Sequence, residues 1–345
     1  MFSISKLIRA NIQRLSPYRS ARDEFKDIRS SKIFLDANEN PYQSRANRYP
    51  DPQQIQLKAV LAKLKNVQAS QILLGNGSDE VLDLIFRAFC EPAKDKVIIL
   101  PPTYGMYKVL ANTNDIEVKE VCLTTDFQPM VGEILLAMDA HTKLLLLCSP
   151  NNPTGNLLSR QAIETLLNTF DGLVVIDEAY IDFASQESWL HSLEAYPNLI
   201  ITQTFSKAYG MAGIRLGVCY ASEAIIAVLN KIKPPYNVNS LTQRYALKRL
   251  RNLSRINRET DQLLKQRALL AAALEKIAVV EKVYPTDANF ILVRVDDADK
   301  RYQQLIDLGI VVRNRSTQPL CHNTLRLTVG SQRENKKLIN ALKNL

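Results

Sequence analysis

Short, uniformly apolar segments alternate along this chain with segments whose apolar residues recur at helical spacing. Runs such as 144–147 and 173–176 are apolar throughout, which is typical of strands buried on both faces of a sheet. We therefore predict strands at residues 33–35, 72–74, 96–100, 116–122, 143–148, 173–176, 199–201 and 217–220. Helices are predicted at residues 55–64, 81–89, 107–110 and 159–168. The alternation predicts an α/β fold, with a mostly parallel sheet that helices cover on both faces.

The pattern changes near residue 233, where a Pro-Pro pair marks a hinge or a domain boundary. Beyond it we predict a long helix, a second helix at 259–277, and then shorter elements of both kinds. These are strands at 289–295, 310–313 and 324–329, and helices at 302–308 and 334–342. We divide the chain into an N-terminal arm (1–43) that carries one helix, a large domain (44–232) and a smaller α/β domain (233–345).

Composition narrows the class of protein. The 345 residues are 46% hydrophobic and 23% charged, a balance typical of a soluble globular protein, and no apolar run is long enough to cross a bilayer. Lys6, Arg9 and Arg14 interrupt the first residues, which favours a short amphipathic helix over a signal peptide. A mitochondrial transit peptide is the alternative. Five dispersed cysteines, an odd number, predict buried thiols in a reducing cytoplasm.

The net charge of +9 favours anionic partners, either phosphorylated and carboxylate substrates or nucleic acid. The densest basic run, 248–258, has leucine and isoleucine at helical spacing, so we interpret it as the solvated face of a helix rather than a nucleic-acid site. With no CxxC pair and three histidines, we expect no structural metal site.

The segment TQTFSKAYGMAGIRLG, residues 202–217, carries the most informative lysine. Lys207 follows a buried strand, where desolvation lowers the pKa of an ammonium group and makes the neutral amine accessible. A neutral amine is what Schiff-base chemistry with an aldehyde cofactor requires. Ser206 and Arg215 are placed to bind a phosphate, by hydroxyl and by guanidinium. The alternative is an ordinary lysine in a surface loop.

Other polar residues also follow predicted strands. Tyr104, Asn152, Asp177 and Lys207 each come directly after an apolar run, and ligands bind beyond the carboxyl ends of strands in open α/β sheets. We therefore expect these side chains to converge on one crevice. The loop GNGSDE at 75–80 lies between a strand and a helix, so it is either an anion site or simple helix capping.

A pyridine aldehyde that bears a phosphate would find in this crevice each group that it needs. Lys207 supplies the amine, and Asp177 the acid that keeps the ring nitrogen protonated. Asn152 and Tyr180 can hydrogen-bond the ring oxygen, and Tyr104 can stack on the ring. Each residue alone could be a cap, a turn residue or a packing residue. Their joint placement favours the cofactor site.

The motifs themselves resemble those of the fold-type I aminotransferases that use pyridoxal 5'-phosphate. The resemblance rests on NNPTG at 151–155, DEAY at 177–180, and SK at 206–207 with Arg215. Narrower motifs resemble the histidinol-phosphate aminotransferase family: LSPY at 15–18, LDANENP at 35–41, RYPD at 48–51, PPTYGMY at 101–107 and LRLTVG at 325–330. The resemblance covers nearly the whole chain.

The resemblance implies a catalytic role for Lys207, Asp177 and Tyr180, with Lys207 also moving the proton between substrate and cofactor carbons. It implies that the cofactor phosphate is held by Gly77, Ser78, Asp79, Ser206, Arg215 and Tyr49. Tyr49 would come from a neighbouring subunit, so we expect a homodimer.

For substrate binding, the resemblance implies Tyr18, Asn40, Arg313 and Arg326. The two arginines would clamp one anion, and Tyr18 on the arm would close over it. The reaction implied interconverts imidazole acetol phosphate and glutamate with histidinol phosphate and 2-oxoglutarate, in histidine biosynthesis in the cytoplasm. No nucleic acid, membrane or metal is expected.

Three alternatives stay open from the sequence. One is a decarboxylase of a phosphorylated amino acid, which would share the lysine, the aspartate and the phosphate-binding residues. Another is an aminotransferase for aromatic amino acids. The third is a non-catalytic regulatory relative that kept the fold.

Overall fold

A seven-stranded sheet forms the centre of the computed structural model, which describes residues 3–18, 20, 22 and 33–345. Its strands are β1 Ile72–Gly75, β2 Lys96–Ile99, β3 Glu117–Glu120, β4 Thr142–Cys148, β5 Leu173–Asp177, β6 Leu199–Thr204 and β7 Gly217–Ala221. The strand order is β1-β7-β6-β5-β4-β2-β3. β7 runs antiparallel to both of its neighbours, and the other pairs are parallel. The predicted α/β fold with a mostly parallel sheet is confirmed.

Helices cover both faces of this sheet. The first seven are α1 Ala10–Arg14, α2 Ile55–Lys65, α3 Ser78–Phe89, α4 Met106–Thr113, α5 Val131–Ala137, α6 Arg160–Thr169 and α7 Glu223–Ile232. One apolar core packs α3, α4 and α7 on one face, and another packs α2, α5 and α6 on the other. Because successive side chains of a strand point to opposite faces, Val97 and Ile99 belong to one core and Ile98 to the other.

The C-terminal part of the chain forms a second, antiparallel sheet with its own helices. Its elements are α8 Ser240–Leu250, α9 Leu253–Leu274, β8 Val280–Val283, β9 Phe290–Val295, α10 Ala298–Asp307, β10 Arg313–Asn314, β11 Thr324–Thr328 and α11 Gln332–Lys343. The strand order is β10-β11-β9-β8, and a third apolar core lies between this sheet and α9, α10 and α11. The domain limits at 43 and 232 stay a prediction.

Several sequence-based predictions were wrong in detail. Residues 33–35 form no strand, because Ile33 and Leu35 are exposed and no neighbouring strand pairs with them. The basic run at 248–258 is not one helical face, because the side chain of Asn252 accepts a hydrogen bond from the backbone N–H of Arg255 and starts α9 anew. Cys122 is exposed, and the other four cysteines are buried as predicted.

Helices α5 and α7 and strand β8 were not predicted. No helix in the described part of the chain is long and apolar enough to cross a membrane. Within residues 3–18, 20, 22 and 33–345, no group of three or more His, Cys, Asp and Glu side chains could hold a metal ion.

Candidate active site

A cavity of about 360 Å³ opens at the carboxyl ends of the central parallel strands. Cys148, Asp177 and Thr204, the last residues of β4, β5 and β6, form part of its wall. Most of the predicted site residues also line it: Ser78, Asp79, Tyr104, Asn152, Tyr180, Ser206, Lys207, Arg215, Arg313 and Arg326. Tyr104, Asn152, Asp177 and Lys207, which the sequence analysis expected to converge on one crevice, therefore all line the same cavity.

One end of the cavity is built from the N-terminus of α3 and the loop before β7. Gly77 precedes α3 with a φ of +79°, and its N–H donates to the backbone oxygen of Arg215 at 3.1 Å. A Cβ at Gly77 would lie 2.6 Å from Nη2 of Arg215, and one at Gly217 only 2.2 Å from the backbone nitrogen of Ser78. This end of the cavity therefore has no room for side chains at positions 77 and 217. The N–H groups at the N-terminus of α3 and the guanidinium of Arg215 lie around it, and such groups bind a phosphate.

Asp79 and Ser206 complete this end. The Asp79 carboxylate accepts a hydrogen bond from the hydroxyl of Tyr104 at 3.1 Å and lies 3.8 Å from Nη2 of Arg215. The hydroxyl of Ser206 lies 3.0 Å from that of Thr204. Asp79 therefore orients Tyr104 and Arg215, a function separate from the backbone contact that the resemblance implies.

Asp177 places a carboxylate in the middle of the cavity. The hydroxyl of Tyr107 donates to its Oδ2 at 2.9 Å, and the backbone N–H of Ala179 donates to its Oδ1 at 3.2 Å. Burial raises the pKa of Asp177 to about 6, although these hydrogen bonds oppose the rise. The group is therefore mainly ionised at neutral pH, and a protonated ring nitrogen is a partner that would stabilise its buried charge.

Lys207 lies beside this carboxylate. Burial lowers the pKa of Lys207, and the nearby charge of Arg326 lowers it further. Its Nζ lies 5.5 Å from the centre of the Tyr180 ring. Burial raises the pKa of Tyr180, so its phenol keeps a proton to donate. The cavity thus holds an amine with a lowered pKa near a phenol hydroxyl that can donate a hydrogen bond, which suits nucleophilic attack on an aldehyde.

The opposite wall is formed by the C-terminal sheet. Arg313 of β10 is paired in register with Arg326 of β11, so the two arginines lie on neighbouring strands. A guanidinium N–H of Arg326 donates to Oδ1 of Asn152. That contact leaves the amide N–H groups of Asn152 to donate elsewhere, which is compatible with the predicted bond to a ring oxygen.

Two cavity-side residues escaped the sequence analysis. Arg315 lines the cavity together with Arg313 and Arg326, and its spacing of two from Arg313 is the signal of a shared strand face. Tyr107 is fully buried behind Asp177 and makes an edge-to-face contact with Tyr104 at 5.5 Å. Its place in the PPTYGMY motif, three residues after Tyr104 and at the start of a predicted helix, was the available signal.

Besides Gly77, whose backbone contacts Arg215, three predicted site residues do not line this cavity. Tyr49 is 51% exposed and stacks on Tyr236, with ring centres 4.4 Å apart. Tyr18 is 75% exposed, and Asn40 is exposed and accepts a hydrogen bond from the backbone N–H of Tyr42. Their predicted roles would need a second chain or a movement of the N-terminal segment.

The chain is similar to known proteins over its full length. Residues 20–342 match the family "Aminotransferase class I and II". A histidinol-phosphate aminotransferase of Flavobacterium johnsoniae is 63% identical, with 100% of this chain and 99% of the relative covered. A histidinol-phosphate aminotransferase of Bacteroides fragilis is 54% identical, with 99% of each chain covered.

Solved structures share the fold. The crystal structure of the histidinol-phosphate aminotransferase from Clostridium acetobutylicum aligns with a TM-score of 0.81 at 24% identity, over 87% of this chain and 91% of that one. The L-threonine-O-3-phosphate decarboxylase from Porphyromonas gingivalis aligns with a TM-score of 0.73 at 25% identity, over 87% and 90%. The family match and the two close relatives together establish that this chain belongs to the class I and II aminotransferases.

Proposed function

We propose that the protein is a histidinol-phosphate aminotransferase that acts in histidine biosynthesis. It transfers an amino group between histidinol phosphate and 2-oxoglutarate, or between glutamate and imidazole acetol phosphate in the other direction. The observation that carries the proposal is the single cavity that joins a phosphate-sized recess, a buried acid with an amine, and an arginine wall. Relatives of that name at 54–63% identity over the full chain support the substrate assignment.

The cofactor is pyridoxal 5'-phosphate, and the donors in the cavity fit it. Gly77, Ser78, Ser206 and Arg215 surround the recess for its phosphate, and Asp177 carries the charge that pairs with its ring nitrogen. Asn152 and Tyr180 would donate to the ring oxygen, and Tyr104 would stack on the ring. When bound, the cofactor withdraws electrons from the substrate's amine-bearing carbon and so permits the loss of a proton there.

Lys207 has two tasks in this proposal. Its Nζ would hold the cofactor through the aldehyde carbon, with release of water, and would accept and return the proton of the substrate's amine-bearing carbon. The lowered pKa of Lys207, caused by burial and by Arg326, favours the neutral amine for both tasks. Asp177 lines the same cavity, and its carboxylate would keep the ring nitrogen protonated.

Arg313 and Arg326 bind the far end of the substrate. One substrate carries a phosphate and the other a second carboxylate, so this wall must accept both groups in turn. Guanidinium groups bind both because each anion matches their paired N–H donors. Tyr18 and Asn40 would approach the substrate when the N-terminal arm closes over the cavity.

We infer that the working unit is a homodimer in the cytoplasm. The exposure of Tyr49 supports this, because its hydroxyl is free to reach the phosphate recess of a second copy. Four buried cysteines, with no disulfide among the described residues, agree with a reducing compartment.

An amino-transfer assay tests the function. The purified enzyme with its cofactor is given 2-oxoglutarate and, in separate reactions, histidinol phosphate, phenylalanine, tyrosine or threonine O-3-phosphate. We expect glutamate to form fastest from histidinol phosphate. Carbon dioxide release from threonine O-3-phosphate without glutamate formation would instead assign the protein to the decarboxylases.

A further inference from the structure

Three guanidinium groups share one wall of the cavity, and no carboxylate of the described residues lies within ion-pair distance of them. Arg313, Arg315 and Arg326 all line it. Among the described residues, none of the three forms an ion pair, and the side-chain partner of Arg326 is the neutral amide of Asn152. The Nε atoms of Arg315 and Arg326 are buried and have no hydrogen-bond partner. Buried polar groups are normally satisfied, so this wall has unused donors.

The positive charges of Arg313, Arg315 and Arg326 also repel one another. Burial lowers the pKa of Arg315 to about 10, and the charges of Arg326 and Arg313 contribute to the fall. Burial lowers the pKa of Arg326 as well, and Arg313 adds to the effect. Arg315 and Arg326 are partly buried and Arg313 is exposed, and like charges that are partly withdrawn from water are costly to hold together unless an anion binds between them.

Backbone pairing holds the third arginine in place. Arg313 pairs with Arg326 and Asn314 with Leu325, and the N–H of Arg315 donates to the backbone oxygen of Thr324 at 2.9 Å, which extends the ladder by one residue. Side chains two residues apart on an extended segment share a face. Arg315 therefore presents its guanidinium to the same cavity as Arg313.

We propose that Arg315 is a specificity-determining residue that recognises the phosphate dianion of the phosphorylated substrate and contributes little to binding the carboxylate of glutamate. The inference rests on the proposed function and deepens it. A phosphate monoester at pH 8 carries two negative charges on three terminal oxygens, whereas a carboxylate carries one charge on two oxygens. Two guanidinium groups already saturate a carboxylate, so a third one favours the phosphate.

The test measures binding of two ligands that lack the reacting amine, ethyl phosphate and glutarate, to the enzyme with its cofactor at pH 8 by titration calorimetry. Arg315→Gln removes the charge but keeps a polar side chain of similar reach. We expect it to weaken ethyl phosphate binding about tenfold or more, and glutarate binding less than about twofold. Arg315→Lys should recover only part of the loss, because an ammonium lacks the paired donors.

Arg333→Gln is the matched control, because Arg333 is exposed on α11 and the change removes the same net charge away from the cavity. It should leave both affinities unchanged. In steady-state assays, Arg315→Gln should raise the KM for histidinol phosphate and not the KM for glutamate.

Equal weakening of both ligands, or of neither, would overturn the role of Arg315. The binding experiment is independent of turnover. If the wild-type enzyme does not transaminate histidinol phosphate, the proposed function fails, while the ratio of the two affinities still decides whether Arg315 selects phosphate.

Discussion

Asp177 is buried, and burial disfavours the negative charge of its carboxylate. Its pKa is raised from 3.8 to about 6 by burial, a shift that corresponds to roughly 3 kcal/mol. Between pH 4 and 6, the folded apoprotein retains a proton that the unfolded chain has lost. The free energy of unfolding therefore falls as pH rises through this window and stays lower above it. The charge costs stability until a cationic partner occupies the site.

We predict that Asp177→Asn raises the melting temperature of the apoprotein at pH 8, with a smaller gain at pH 5, while cofactor affinity and amino transfer fall sharply. The amide carries no charge to bury and none to pair with the ring nitrogen. Calorimetry of the apoprotein at both pH values, together with cofactor titration, measures this. A variant as active as the parent would reduce Asp177 to a structural role.

Replacement of Lys207 is expected to affect turnover and cofactor binding differently. Lys207→Ala should lower amino transfer by about 10³-fold or more, because the variant lacks both the covalent link and the proton carrier. It should still bind the cofactor non-covalently, since the recess around Gly77 and Arg215 is unchanged. Equilibrium dialysis measures this retention. Substantial turnover by the variant would contradict the assignment.

Strand β7 and the start of α3 lie so close together that only glycine fits at their contact. A Cβ at Gly217 would lie 2.2 Å from both the carbonyl carbon of Gly77 and the nitrogen of Ser78. The strand thereby fixes the position of the N–H groups that face the phosphate recess.

Gly217→Ala should weaken cofactor retention about tenfold or more, because the loop before α3 must move away from the recess. Gly213→Ala is the control, since a Cβ there meets nothing within 4 Å. Fluorescence titration of the two apoproteins with cofactor compares them. Equal affinities would show that the recess tolerates displacement of this loop.

Tyr49 is exposed and does not line the cavity of its own chain. We therefore predict that it contributes to the active site of a second subunit. Hybrids of Lys207→Ala and Tyr49→Ala chains, coexpressed with different tags and purified through both, should regain about half of the parent activity. Each parent variant alone should be severely impaired, and the wild type should sediment as a dimer. A fully active monomer, or a hybrid as weak as its parents, would refute the shared site.

The sequence alone was enough to predict the buried parallel strands and the convergence of several site residues. The apolar runs at β4, β5 and β6 identify buried parallel strands from side-chain character alone. Since the carboxyl ends of such strands meet at one edge, the convergence of Asn152, Asp177 and Lys207 followed from their order in the chain.

Other features depended on partners that are distant in sequence. Ile33 and Leu35 are apolar but form no strand, because strand formation needs a neighbouring strand or a core. Arg315 was not assigned to the site from the sequence, because only the pairing of β10 with β11 places it on the same cavity wall as Arg326. The burial of Tyr107 behind Asp177 likewise results from packing between segments 70 residues apart. Periodicity and turn chemistry are local and can be found in sequence, whereas desolvation and charge pairing are set by contacts that only the tertiary structure brings together.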